Sequence, residues 1–134
     1  MASELRVNTL KDAAGNNSIA TSFVAGGRAK AWVNLNVETF GARDSFNVAS
    51  TTDNGTGDST MTFSSAMSND DYACSGLAAY PGSRGYIHGS SSAISTPFAT
   101  TAYRMVTSYI SATDGSTTAD NPQNDHRVIH GDLA

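Results

Sequence analysis

The chain has 134 residues and a formal net charge of −4, and 19 residues of its 39% hydrophobic fraction are Ala. Leu, Ile, Val and Phe together number 22, whereas Ser, Thr and Asn number 43; this is a thin apolar supply for a self-sufficient core, yet the charge is too low for disorder. Eight basic against twelve acidic residues argue against binding nucleic acid through its phosphates, and no apolar run approaches the ~18 residues of a membrane-spanning helix.

Met1–Leu10 has neither the basic start nor the apolar stretch of a secretory signal, so none is expected. Glu4–Lys11 is the best helical candidate, with Leu5, Val7 and Leu10 apolar, but Val7-Asn8-Thr9 favours an extended start. Asp12–Ser18 is a turn cluster. Leu5–Leu10 and Ser18–Phe23 together read as an extended N-terminal arm or hairpin, and the chain divides into an attachment segment, 1–25, and a domain, 26–134.

Beyond Gly26-Gly27, Ala29, Ala31, Val33, Leu35 and Val37 recur at period two, with Lys30, Trp32, Asn34 and Asn36 on the other face. That pattern predicts a strand with one apolar face. Trp32 then points away from the core, to pack on a neighbouring subunit or to stack on a sugar. Ser45–Val48 opens the next strand. Asn54-Gly55, inside Thr52–Asp58, predicts a primed hairpin turn, because both residues tolerate positive φ. The return strand is Ser59–Ser64, with Met61 and Phe63 inward. Tyr72–Tyr80 is a further strand, and it holds Cys74, whose small, uncharged flanks indicate a buried residue. A lone cysteine excludes an internal disulfide and a Cys-rich zinc site. Ser83–Thr101 is a Ser- and Gly-rich loop region with a short strand at Gly85–His88; Tyr103–Ser111 and Arg127–His130 are strands about the polar loop Asp114–Asp125. The expectation is an all-β fold: an antiparallel β-sandwich or small barrel.

Catalytic constellations are scarce. There is no Gly-x-Ser-x-Gly elbow, Walker loop or dinucleotide-binding glycine motif. Asp53–Asp58 has the oxygen-rich look of a calcium loop but lacks the bidentate acidic residue at its far end. Asp70-Asp71 are adjacent and cannot serve together as a glycosidase pair on a strand. His126 and His130 would share a strand face ~13 Å apart, too far for one metal. No enzyme, cofactor or metal is therefore expected.

Ala29–Asn36, Arg43–Ser50, Thr52–Asp58 and Thr62–Met67, taken jointly with the opening Ser3–Asp12 and Gly15–Ser18, resemble a domain of tail-fibre-like and other virion structural proteins of bacteriophages, especially those of marine and cyanobacterial hosts. The resemblance runs from residue 3 to about residue 73. It implies a non-enzymatic virion component, most simply a tail-fibre-like subunit assembled in the host cytoplasm. Its expected partners are further copies of itself as a homotrimer, other virion proteins, and a host-surface glycan or protein. The other readings are a head decoration or cement protein, or a carbohydrate-binding module. For a receptor contact, Tyr80, Arg84 and Tyr86 are the candidate residues, since Tyr and Arg dominate interface hot spots.

Overall fold

The computed structural model describes residues 6–15, 18–80, 86–89, 97–111 and 113–134. A small hairpin comes first: β1 (Thr9–Lys11) pairs antiparallel with β2 (Ser18–Ala20), and a short helix, α1 (Thr21–Gly27), follows directly. The next strands are β3 (Ala31–Asn36), β4 (Gly41–Phe46), β5 (Val48–Gly55), β6 (Asp58–Phe63) and β7 (Ala73–Ala79). They are followed by β8 (Tyr86–Gly89), β9 (Phe98–Ala99), β10 (Ala102–Ile110), β11 (Thr117–Ala119) and β12 (Asn124–His130).

Two antiparallel sheets make the sandwich. One has the order β4-β3-β12-β7. The other is organised around β10, which pairs with β6 and β11 along one edge and with β9 and β8 along the other; β5 lies outside β6. The all-β sandwich expected from strand alternation is thus present.

Alternation explains which face is which. Ala31, Val33 and Leu35 of β3 are buried while Trp32, Asn34 and Asn36 are half-exposed. Met61 and Phe63 of β6, Tyr103 and Met105 of β10 and Ile129 of β12 complete the core from the facing strands. At one end, Tyr72 stands edge-on to Phe63 and to Tyr103, with centroids 5.8 and 6.4 Å away, and Phe98 covers the group. The Tyr72 hydroxyl is 3.0 Å from the Ala102 carbonyl. Burial pushes Tyr72 up to about 12, so it stays a neutral donor.

Three local expectations change. Ser45–Val48 is not one strand: Asn47 takes a left-handed conformation (φ 54°) and turns the chain from one sheet into the other. Its side chain fixes that corner, donating to the Lys30 carbonyl (2.9 Å) and accepting from the Ser65 N–H (2.7 Å); Asn tolerates this conformation better than most residues. The β5–β6 hairpin exists, but its connection is Thr56-Gly57 rather than Asn54-Gly55. Gly55 and Gly57 both have positive φ (128° and 70°), and a Cβ at Gly57 would lie 2.4 Å from the Thr107 carbonyl oxygen. Asn54 instead bonds across the hairpin to Thr60 (2.8 Å). Finally, the N-terminal segment is a hairpin with an added helix at Thr21–Gly27, where an extended strand to Phe23 was expected. Helix α1 has no side-chain cap and buries none of its residues.

The last strand starts earlier than expected, at Asn124 rather than Arg127. The short strand expected at Gly85–His88 is present as β8, and parts of the anticipated loops form β9 and β11.

Candidate interaction surfaces

The centre of the sandwich holds charge. On β12, Asp125, Arg127 and Ile129 face inward, and both Asp125 and Arg127 side chains are fully buried. Arg127 Nη2 lies 2.5 Å from Asp125 Oδ2 and donates to Ser59 Oγ across the inter-sheet space. Its Nη1 reaches the Ser59 carbonyl at 3.4 Å, and Thr107 Oγ1 donates to Asp125 Oδ2 at 3.4 Å. From β8, His88 brings Nε2 within 3.1 Å of Asp125 Oδ1, without the alignment of a hydrogen bond. The ring lies over Gly76 of β7, where a Cβ would meet it at 2.6 Å. Burial alone would raise the Asp125 carboxyl; the His88 contact and the Arg127 guanidinium outweigh it and hold the group below its usual range. Ser59 and Thr107 are closed to solvent, and the His88 side chain is 15% exposed; the cluster joins β6, β8, β10 and β12.

The outer face of the β4-β3-β12-β7 sheet is open. Strand register sets Phe46, Trp32, Val128 and Ser75 in one cross-strand row, with Asp44, Asn34, His126 and Leu77 in the next. Phe46 is 53% exposed and Leu77 66%. Arg43 Nη1 donates to Asn34 Oδ1 (3.4 Å) and Asn124 Oδ1 (3.1 Å), tying three strands together. His126 and His130 share this face, as their spacing requires.

A second exposed apolar surface belongs to the N-terminal hairpin and helix. Leu10, Ile19 and Phe23 are all exposed, Phe23 at 73%. Leu10, Lys11, Asp12, Ser18 and Ile19 line an open groove of about 290 Å³.

Of the candidate receptor contacts, Tyr80 is exposed just after β7 and donates to Glu38 Oε1 at 3.3 Å. Tyr86 starts β8 and donates to Asp120 Oδ2 at 2.6 Å, a half-buried tie across the sheet. Arg84 lies outside the described residues, so the three are not brought together into one described site. Trp32 is half-buried in the single chain, with aliphatic and aromatic neighbours in its row and Asn34 beside it. Asp70 and Asp71 are exposed ahead of β7. Among the described residues no three His, Cys, Asp or Glu side chains come together as a metal site, and none of the helices is long and apolar enough to cross a membrane.

Comparison with the models of known protein families, with curated proteins and with solved structures returns no match.

Sequence reasoning missed the Asp125–Arg127–His88 cluster. Its one available signal was period two in Asp125-His126-Arg127-Val128-Ile129-His130: Ile129 inward forces Arg127 and Asp125 inward with it.

Proposed function

We propose that the chain is a non-enzymatic structural subunit of a bacteriophage virion, most simply a tail-fibre-like homotrimer, with its N-terminal segment as the attachment element. The carrying observation is the placement of its scarce large apolar side chains. Phe23, Phe46 and Leu77 are more than half exposed while the centre of the sandwich is given to an ion pair. Such side chains gain stability only when another surface removes them from water, at ~25 cal/mol per Å² buried. The phage assignment itself rests on the resemblance of residues 3 to 73.

A sugar-binding role has one observation in its favour. Trp32 stands beside Asn34, and Arg43 holds Asn34 and Asn124 in place, which supplies a stacking ring next to fixed polar groups. Phe46, Val128 and Leu77 on the same face serve packing better than sugar binding, so assembly is the preferred reading. In a fibre, Tyr80, Arg84 and Tyr86 remain the proposed receptor contacts, and a decoration protein on the capsid is the competing position.

The test is imaging of purified particles carrying a C-terminal gold label on this chain. Label on the tail periphery is expected. Label on the capsid moves the chain to a decoration role, and particles without label remove the virion reading.

A further inference from the structure

We infer that the N-terminal hairpin and helix of one copy dock on the outer face of the β4-β3-β12-β7 sheet of a second copy, giving a head-to-tail assembly. This rests on the reading of the chain as a self-assembling subunit, and adds which surfaces meet.

Three observations carry it. First, the chain has two uncovered apolar surfaces of different kinds. One is the hairpin-helix unit with Leu10, Ile19 and Phe23; the other is a flat sheet face with Phe46, Trp32 and Leu77. The groove beside Leu10 and Ile19 is open enough to receive a projecting side chain such as Phe46 or Leu77.

Second, the unit is held close to its own sandwich and is still uncovered. Lys30 Nζ donates to the Ala25 carbonyl in the last turn of α1, and the Lys30 N–H donates to the Ile129 carbonyl at 2.8 Å. Only Arg28, Ala29 and Lys30 separate α1 from β3, a span of ~10 Å at most. With that tether made, Phe23 remains 73% exposed, which leaves it available to another molecule.

Third, charge selects between the possible pairings. Residues 1–28 contain three basic and two acidic side chains, whereas residues 29–134 contain five basic and ten acidic. Two N-terminal units brought together would oppose like charge, as would two sandwiches. A unit on a sandwich pairs opposite net charge; Lys11 and Arg28 are exposed beside Asp12 on one side, and Asp44 and Glu38 beside Arg43 on the other, so the attraction comes from the overall balance. The resulting contact is heterologous: each copy gives one surface and receives through the other, and it closes into a ring or trimer when the rotation allows.

Complementation in solution tests this. The full-length chain is made in two variants, Leu10→Asp/Phe23→Asp in the N-terminal unit and Phe46→Asp/Leu77→Asp on the sheet face. All four positions are more than two-fifths exposed, and circular dichroism checks that each variant folds; the milder Phe23→Ser and Phe46→Ser replace any that does not. Light scattering should show the unmodified chain assembled, each variant alone as a monomer, and their equimolar mixture as a dimer of one copy of each. The mixture retains one intact donor unit and one intact acceptor face, so it stops at two. An unmodified chain that is itself monomeric would remove the self-assembly reading together with this inference. An assembled parent with an unchanged N-terminal variant, or two monomeric variants that do not rescue one another, would overturn the head-to-tail contact while leaving self-assembly standing.

Discussion

Replacing Arg127 by Met removes one partner of the buried ion pair and leaves the Asp125 carboxylate inside the sandwich. Arg127 is the only arginine that bonds Asp125 among the described residues, and it also holds Ser59 from the facing sheet. His88 then remains as the carboxylate's one basic neighbour among the described residues, without hydrogen-bond alignment; stripping one partner from a buried pair costs ~3–5 kcal/mol. At ~3–5 °C per kcal/mol for a domain of this size, the melting midpoint should fall by about 10–25 °C. Removing both charges, Asp125→Leu with Arg127→Met, should recover much of that loss, because no charge is then stranded. Acid titration supplies the sign. The folded Asp125 carboxyl lies below its unfolded value of 3.8, so its stabilisation is complete above that value. It is lost as pH falls through the folded value. The Asp125→Asn variant should therefore show a flatter acid limb than the parent in thermal melts between pH 5 and 2. An Arg127→Met midpoint within about 2 °C of the parent, or a double variant no better than the single one, would refute the argument.

Gly76→Ala should destabilise the fold by ~1–3 kcal/mol or more, because its Cβ would fall 2.4 Å from the His126 carbonyl oxygen and against the His88 ring. Gly89→Ala, where nothing lies within 4 Å, is the control, and urea titration reads both. Cys74 is half-buried against the core rather than fully buried as its flanks suggested; it should react with a disulfide reagent at least tenfold more slowly in the folded chain than in urea, since burial pushes its thiol up, and equal rates would contradict that placement. Changing Tyr80, Arg84 and Tyr86 together to Ala should reduce adsorption of particles to host cells while assembly stays intact. Tyr86→Phe alone, which removes the hydroxyl that donates to Asp120, separates a structural effect from a receptor contact.

The strands were legible wherever apolar side chains mark one face. Ala31, Val33 and Leu35, and Met61 and Phe63, announce β3 and β6 because their inward positions are apolar and their outward ones polar. The first half of β12 was not legible for the opposite reason: Asp125 and Arg127 are polar by type and buried by position, so the alternation looks like a solvated loop. The corner at Asn47 depends on one residue's left-handed backbone and on bonds to Lys30 and Ser65, far away in sequence. Helix α1 has no cap, no buried face and two glycines in its last turn, which leaves nothing periodic to read. On the candidate surface, Trp32 was visible from alternation alone. Its neighbours Phe46, Val128 and Leu77 come from three other strands, and only the register brings them into adjacent rows.

Completion of burial by self-assembly is read out by light scattering of the purified full-length chain at micromolar concentration. A species of at least three copies of the 13.9 kDa chain is expected. A single 13.9 kDa species that stays folded at that concentration would contradict it.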